Sequence, residues 1–282
     1  MSQYAHPEVL VDTQWLMDHL EDPMVHVVEV DMSPESHKDN HIPGAIFWNF
    51  STDLSMPDFR MNLDPTAMEK LLSRSGISQE TTVIAYGSYP GTGAFIFWFL
   101  KLFGHQKVYV LNGGHQKWVA EGRPVTSDFS NFPPTSYQAT SPNPDLRVLQ
   151  SEVQASLERT DCVVLDVRTP QEYSGEIFMM KPPEGSERGG HIPGAVHIEN
   201  THTLNDDGTF KSVEELHALY SSRGVIPNPL ETDTLFSTKN YVYQAFFNKV
   251  RVPLQPDLVL QRIKRYFLTA PLVDALHPLG LF

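Results

Sequence analysis

The chain of 282 residues is long enough for two domains of ordinary size, and its 40% hydrophobic content is typical of a globular protein. A formal net charge of −13 argues against general binding to nucleic acids or to anionic membranes. The single cysteine excludes an internal disulfide and suits a reducing cytoplasm, where we expect the protein, and no apolar run reaches the roughly 18 residues of a membrane span.

The first half of the chain alternates predicted helices and strands. Asp12 is placed to cap a helix that carries Trp15 and Leu16. Predicted strands over 26–31, 82–86 and 107–111 are near-continuous apolar runs, and a helix is predicted over 94–103. The glycine-rich loop 87–93 could hold a small anion through backbone N–H groups, but it lacks the residues of a nucleotide-binding loop. This alternation predicts an α/β fold with a mainly parallel sheet.

One pentapeptide, His-Ile-Pro-Gly-Ala, occurs twice, starting at His41 and again at His191. The second half repeats the order of the first, with a predicted helix over 151–157, a strand over 162–167 and a helix over 212–219. Each histidine stands before a Pro-Gly turn, which favours a role in ordering the bend. Five identical residues at domain-sized spacing indicate two copies of one fold.

The repeat sets the predicted domains at residues 8–126 and 146–247. Residues 127–145, rich in Ser, Thr, Asn and Pro, are predicted to link them. Residues 248–282 form a tail that breaks the repeat and carries five Lys and Arg residues against two Asp. A basic helix in this tail would either bind an acidic partner or a membrane surface, or pack on its own domain.

These landmarks resemble the tandem-domain rhodaneses, thiosulfate sulfurtransferases with two rhodanese-like domains. The matching stretches are both pentapeptides and the runs 111–124, 165–175 and 205–212. The resemblance implies that each domain is a mainly parallel sheet flanked by helices, that the first domain is non-catalytic and that no cofactor is used. It also implies the reaction, in which a loop cysteine of the second domain takes the sulfane sulfur of thiosulfate and passes it to cyanide or a thiol. Glu172 resembles the thiosulfate-using branch of the family rather than the mercaptopyruvate branch.

The catalytic cysteine of the family is missing. The resemblance places it where this chain has Ser237, and the only cysteine, Cys162, belongs to the predicted strand over 162–167. A buried structural role is expected for that thiol. A serine hydroxyl is far less acidic than a thiol and cannot carry sulfur as a persulfide. We therefore predict that sulfur transfer is absent or severely impaired.

Three residues are predicted to contact the anionic donor: Asp166, Arg168 and Arg188. Asp166 and Arg168 are two positions apart at a strand end, so both point to the same side of the sheet, and the resemblance places them beside the active loop. A purely structural ion pair is the alternative. Arg188 lies in an insertion before the second pentapeptide. The twelve histidines show no ligand spacing, so no metal site is predicted.

Two explanations of the altered tail stay open. Either the protein is a genuine rhodanese-like pseudoenzyme that has lost its catalytic loop, or the reading frame diverges from the ancestral one near residue 229. The function is then that of a sulfurtransferase with a damaged site, or that of a non-catalytic module that binds anions or a protein partner. A hydrolase that uses Ser237 is a weaker hypothesis, because no histidine and aspartate are placed to activate that hydroxyl.

Overall fold

The computed structural model describes residues 4, 6–57, 60–89, 91–147, 149–157, 162–178, 181–184, 189–225 and 250–253. The chain divides into two compact units. The first unit comprises residues 7–143 together with 204–210, and the second comprises the described residues of 1–6, 144–203 and 211–282. Among the described helices, none has the length and apolar character that crossing a membrane requires.

The first unit alternates strands and helices along the chain. Its elements are β1 (Leu10–Val11), α1 (Thr13–His19), β2 (Val25–Asp31), α2 (Glu35–Asp39), β3 (Ala45–Asn49), α3 (Pro65–Arg74), β4 (Thr82–Tyr86), α4 (Thr92–Leu102), β5 (Val108–Leu111) and α5 (Gly114–Ala120). The strands form one five-stranded sheet in the order β1-β5-β4-β2-β3, and every neighbouring pair is parallel. The predicted α/β fold with a parallel sheet is therefore confirmed.

Local sequence signals set the helix boundaries of this unit. The Asp12 carboxylate accepts a hydrogen bond of 2.7 Å from the backbone N–H of Trp15, so Asp12 caps α1 as predicted. Asp64 caps α3 in the same way, and Pro65 occupies the first helical position, where its missing N–H costs nothing. Helix α4 is buried over nearly its whole length, which agrees with its uniformly apolar sequence.

The core of the first unit contains side chains from all five strands and from helices α1 and α5. Both faces of the sheet are covered, which is why its strands are apolar on both sides. The principal buried cluster consists of Val11, Leu16, Val27, Ile42, Ala45, Ile84, Tyr86, Leu111 and Trp118.

Both pentapeptides form the same tight turn. Gly44 and Gly194 have positive φ angles of 83° and 78°, a left-handed conformation that glycine adopts without strain. The turn closes through a hydrogen bond from Ala45 N–H to the Ile42 carbonyl, and Ala195 makes the matching bond of 2.9 Å to Ile192. The repeated sequence is therefore a structural device that turns the chain into the following strand.

The second unit is smaller in its described part. Its elements are α6 (Gln150–Ser156), β6 (Cys162–Asp166), α7 (Pro170–Ser174), β7 (Val196–His197), α8 (Val213–Ser221) and β8 (Val250–Pro253). Strand β6 is central, with β7 parallel on one side and β8 antiparallel on the other. Except for β8, the predicted basic tail lies outside the described residues.

Residues 127–143, which we call the strap, follow the first unit along its surface. Thr135 N–H donates to the Ser73 carbonyl at 2.9 Å, and Thr140 N–H donates to the Phe103 carbonyl at 3.1 Å. Tyr137 N–H donates to Ser73 Oγ at 3.0 Å, and the Tyr137 side chain is buried. A segment with the composition of a flexible linker is thus fixed to the first unit by backbone hydrogen bonds.

All four tryptophans lie in the first unit, so their fluorescence reports on its unfolding alone. Leu16, which is 0% exposed in the main cluster, can be compared with its neighbour Met17, which is 39% exposed. We predict that Leu16→Ala lowers the free energy of unfolding of this unit by about 2–5 kcal/mol, whereas Met17→Ala changes it by less than about 1 kcal/mol. Urea denaturation followed by tryptophan emission measures both. Equal losses would contradict the assigned core.

Candidate functional site

The described part of the second unit has one buried ion pair, formed at the end of β6. Asp166 is the last residue of the strand. The Arg168 guanidinium donates two hydrogen bonds to its carboxylate, from Nε to Oδ1 at 3.0 Å and from Nη2 to Oδ2 at 2.7 Å. Both side chains are buried. Arg168 N–H also donates to Asp166 Oδ1 at 3.2 Å, which fixes the backbone of the turn. The charges therefore neutralise each other in a bidentate geometry specific to arginine.

This pair also holds the neighbouring chain segments. Arg168 Nη2 donates to the Gly190 carbonyl at 2.7 Å, just before the second pentapeptide. His197 Nε2, on β7, donates to the Arg168 carbonyl at 2.8 Å. Among the described residues, none hydrogen-bonds to Nη1 of Arg168.

A stack of three rings supports the same strand end. Tyr173 lies against His191 with ring centroids 3.7 Å apart, and against His197 with centroids 4.5 Å apart. Tyr173 Oη donates to the Ala195 carbonyl, and His191 Nδ1 donates to the Tyr173 carbonyl. The pentapeptide histidine thus orders its bend, as its position before the turn indicates.

Glu172 has a local structural role. Its carboxylate accepts a bond of 3.2 Å from Thr169 N–H, while Thr169 Oγ1 accepts one from Glu172 N–H. This reciprocal capping box starts α7. The residue that resembles a donor-specificity marker therefore has its carboxylate engaged at a helix start.

Among the predicted site residues, the structure brings together Asp166 and Arg168. Arg188 and Ser237 lie outside the described residues, so their roles stay predictions. Cys162 is the first residue of β6 and Asp166 the last. Four residue steps along a strand place their Cα atoms about 13 Å apart. The backbone of the only cysteine is therefore at the opposite end of the strand from the Asp166–Arg168 pair.

The first unit has a counterpart of Asp166 that the sequence comparison of the two halves does not single out. Glu29 pairs in register with Phe47 on the parallel neighbour strand, just as Asp166 pairs with His197. Phe47 and His197 stand at the same distance after their pentapeptides. The buried Glu29 carboxylate accepts bonds from His37 Nδ1 at 2.7 Å and Tyr86 Oη at 2.6 Å. Burial and the Glu29 charge raise the pKa of Tyr86 well above its usual value, so the hydroxyl stays a donor.

A cavity of about 50 Å³ lies at the carboxyl ends of β4 and β5, between the starts of α4 and α5. The volume accommodates a few water molecules or a small ligand. Gly87 must be glycine here, because a Cβ atom would stand 2.5 Å from the Val30 carbonyl oxygen. His115 also lines the cavity, and burial lowers its pKa, which favours the neutral ring. The described residues of the lining include neither a thiol nor a carboxylate, so none of them could carry sulfur as a persulfide.

Residues 204–210 cover part of this cavity. Leu204, Gly208 and Phe210 contribute to its lining. The Lys117 ammonium donates to Asp207 Oδ2 at 2.9 Å, and Phe210 N–H donates to Asn112 Oδ1 at 3.0 Å. Hydrogen bonds from Thr209 and then from Lys117 lower the pKa of Asp207 to about 2, so this contact persists at neutral pH. Among the described residues no group of three or more His, Cys, Asp or Glu could hold a metal ion.

Comparison with known proteins identifies both halves of the chain. The model of the Rhodanese-like domain matches residues 12–121 and 149–228. The "Sulfur carrier protein TtuD" of Thermus thermophilus is 43% identical over 228 residues, which cover 79% of this chain and 80% of that protein. The "Putative thiosulfate sulfurtransferase 1" of Mycobacterium bovis is 42% identical over 231 residues, 81% of this chain and 82% of that protein.

Solved structures show the same fold. The 3-mercaptopyruvate sulfotransferase SseA from Escherichia coli superimposes with a TM-score of 0.67 over 84% of this chain and 92% of that one, at 21% identity. YnjE superimposes with a TM-score of 0.66 over 80% of this chain and 58% of that one, at 24% identity. The prediction that a domain of this family occurs twice in the chain is confirmed.

The Asp166–Arg168 pair predicts a specific stability pattern. Asp166→Asn leaves the Arg168 charge buried without a counter-charge. We therefore expect the free energy needed to open β6 and β7 to fall by about 3–5 kcal/mol. The double variant Asp166→Asn/Arg168→Met removes both charges and should recover part of that loss. Glu184→Gln, at the exposed Lys181–Glu184 pair, serves as control and should cost less than about 1 kcal/mol. Hydrogen exchange of peptides from 162–178 and 189–203 measures all three, and an Asp166→Asn loss no larger than the control would contradict the pair's role.

Proposed function

The chain belongs to the rhodanese-like family of sulfurtransferases, and we propose that in this member the transfer of sulfur from thiosulfate is absent or severely impaired. Its two proposed domains, 8–126 and 146–247, each contain one of the family matches. Residues 127–145 join them and 248–282 follow. The proposed location is the cytoplasm, which the single unpaired cysteine supports.

The observation that carries this proposal is the position of the only cysteine. Sulfur transfer begins when a thiolate attacks the sulfane sulfur of thiosulfate: a cysteine–sulfur bond forms, the sulfur–sulfur bond of the donor breaks and sulfite leaves. Cyanide or a thiol then attacks the outer sulfur and restores the thiolate. Cys162 begins β6, and the polar groups that could receive an anionic donor lie at the other end of that strand.

Ser237 does not replace the missing thiol. A serine hydroxyl stays protonated at neutral pH unless a base activates it, and an oxygen–sulfur bond is no substitute for a persulfide that cyanide can discharge. Ser237 remains the proposed position of the family cysteine. The sulfur donor that the family's activity suggests, thiosulfate, matches the names of the mycobacterial relatives.

The retained part of the site supports binding of the anionic donor. Arg168 keeps its guanidinium oriented by Asp166 and Gly190, with Nη1 unbonded by the described residues. We assign Asp166 the role of orienting Arg168, and Arg168 and Arg188 the role of contacting the donor. An acceptor thiol or cyanide would approach the same edge of the sheet if a thiol stood there.

A second candidate function is a non-catalytic module that binds small anions or a protein partner. The cavity of the first unit favours it, because the described residues of its lining offer polar groups but no thiol. An acidic partner for the basic tail belongs to this candidate. A protein that binds thiosulfate but never releases sulfite would fit it.

The end of the second family match at residue 228 bears on the origin of the tail. It falls where the sequence alone suggests that the ancestral reading frame is lost, near residue 229. Sequencing the locus again and translating the adjacent frames separates a frame change from a genuine pseudoenzyme. A frame that restores a cysteine-containing loop would support an active ancestor.

The first test is turnover by the full chain. Incubated with thiosulfate and cyanide, the protein should form thiocyanate no faster than the uncatalysed mixture, because no thiolate is placed to accept sulfur. Cys162→Ser is the matched control and should behave identically. Thiocyanate formation that is lost in Cys162→Ser would overturn the proposal.

The second test restores the sulfur atom. Ser237→Cys should release up to one equivalent of sulfite from thiosulfate if the residue stands at the position of the family cysteine. Ser221→Cys, at an exposed residue of α8, controls for a thiol placed elsewhere and should release none. Equal release from both variants would show that Ser237 has no special position.

A further inference from the structure

Two buried histidines lie beneath the strap, at the end of the first sheet opposite to the cavity. His26 stands near the start of β2, and His105 lies just before β5. Their side chains belong to residues that are 4% and 1% exposed. Neither takes part in the site described above.

Each histidine contacts an aromatic residue of the strap. The His26 ring lies 4.0 Å from the Phe132 ring, centroid to centroid. His105 Nδ1 accepts a hydrogen bond of 3.1 Å from Tyr137 Oη, and their ring centroids are 5.7 Å apart. The strap therefore covers both rings and separates them from water.

One buried nitrogen of each ring has no close hydrogen-bond partner among the described residues. Among the described residues nothing bonds His26 Nδ1 or His105 Nε2, and both atoms are buried. A neutral imidazole tolerates one bare nitrogen as an unused acceptor or donor, but an imidazolium requires partners for two N–H groups. Protonation in place would bury a charge, which the backbone groups near each ring offset only in part, since the pKa of each histidine is still lowered.

The groups that face these rings reinforce the neutral state. Burial, and to a smaller extent the Lys101 and Lys107 charges, lower the pKa of His105 to about 4, against backbone groups of Lys107 and Thr81 that raise it. Burial lowers the pKa of His26, and backbone groups of Ser75 and Pro23 oppose this. Burial raises the pKa of Tyr137 to about 12, so its hydroxyl stays protonated throughout.

Two carboxylates lie close to this region. Glu69 Oε1 accepts a bond of 3.1 Å from Ala139 N–H of the strap, and Glu80 pairs with Lys107 at 2.7 Å. The Lys107 pair lowers the pKa of the exposed Glu80, so it stays ionised in the range where histidines titrate. Neither carboxylate contacts a histidine ring directly in the described contacts, so neither supplies a counter-charge to an imidazolium.

We propose that His26 and His105 make the strap an acid-released element, which is held while both rings are neutral and detaches from the first unit when they take up protons. In the detached state the rings reach water and bind protons with ordinary affinity. The closed state binds fewer protons below pH 6.5, so acid favours the detached state. Stability of the closed strap is complete above that pH and falls as the pH drops toward 4.

Detachment of the strap affects the strap and not the sheet beneath it. The strap is bonded to the C-terminal part of α3 and the end of α4 through Ser73 and Phe103, whereas the sheet beneath it is held by its own ladder of hydrogen bonds. Release therefore frees one of the chain connections between the two units, the one at residue 144, without unfolding the sheet. The inference does not depend on sulfur chemistry.

Hydrogen exchange of the full chain tests the proposed release of the strap by acid. The amides of Thr135, Tyr137 and Thr140 report the strap, and that of Ile84 in β4 reports the sheet. After correction for intrinsic exchange, the opening constant of the strap should rise about tenfold per pH unit between pH 6 and pH 4.5 from His105 alone. Protection at Ile84 should change much less. A strap whose protection is constant over this range would overturn the proposal without any variant.

Variants identify the groups. His105→Asn keeps a polar atom near the Tyr137 hydroxyl but cannot take up a proton. In this variant the opening constant of the strap should rise less steeply with acidity than in the native chain, by about a factor of ten per pH unit. The double variant with His26→Gln should be flat. His202→Asn, at an exposed histidine of the second unit, is the control and should keep the full slope. An unchanged slope in the double variant would show that other groups drive the release.

Discussion

The direction of the strands decides where chemistry can occur in this protein. Parallel strands end at one edge of a sheet, so the loops that follow them gather polar groups there. The cavity of the first unit and the Asp166–Arg168 pair of the second both lie at such carboxyl ends. Cys162 begins its strand instead, about 13 Å away along the backbone. Because a persulfide needs a sulfur atom at the reacting edge, this separation is the basis of our proposal that sulfur transfer is absent or severely impaired.

Each half of the chain buries one carboxylate of a sheet strand, but the two carboxylates have different hydrogen-bond partners. Each places a buried carboxylate at the same register position of the strand before the pentapeptide: Glu29, two residues before the end of β2, and Asp166, the last residue of β6. Glu29 is satisfied by His37 and Tyr86, whereas Asp166 takes the two bonds of an arginine. A buried carboxylate without such partners would be costly, and each unit satisfies its carboxylate with a different set of partners. Only the second solution leaves a guanidinium near the edge.

Local patterns predicted most of the fold. Asp12 caps a helix, Gly44 and Gly194 close turns, and the apolar runs form strands, because each of these signals acts over a few neighbouring residues. Spacing also predicted that Asp166 and Arg168 point to the same side of the sheet. The structure pairs the two side chains, although Arg168 lies beyond the end of β6. Spacing did not reveal the bond from Arg168 to Gly190 or the link between Glu29 and Tyr86, since these depend on tertiary packing. The strap shows the same limit: its composition is that of a linker, but its amides bond to residues far away in sequence. The donor contacts of Arg188 and the role of Ser237 stay predictions.

The most direct test of the central claim is the mass of the intact protein after incubation with thiosulfate. No sulfur atom should be added to the chain, because the backbone of the only cysteine lies at the opposite end of β6 from the edge where we propose that the donor binds. Addition of one sulfur atom to Cys162, followed by its complete removal by cyanide, would contradict this account. It would show that the only cysteine is reached by both donor and acceptor.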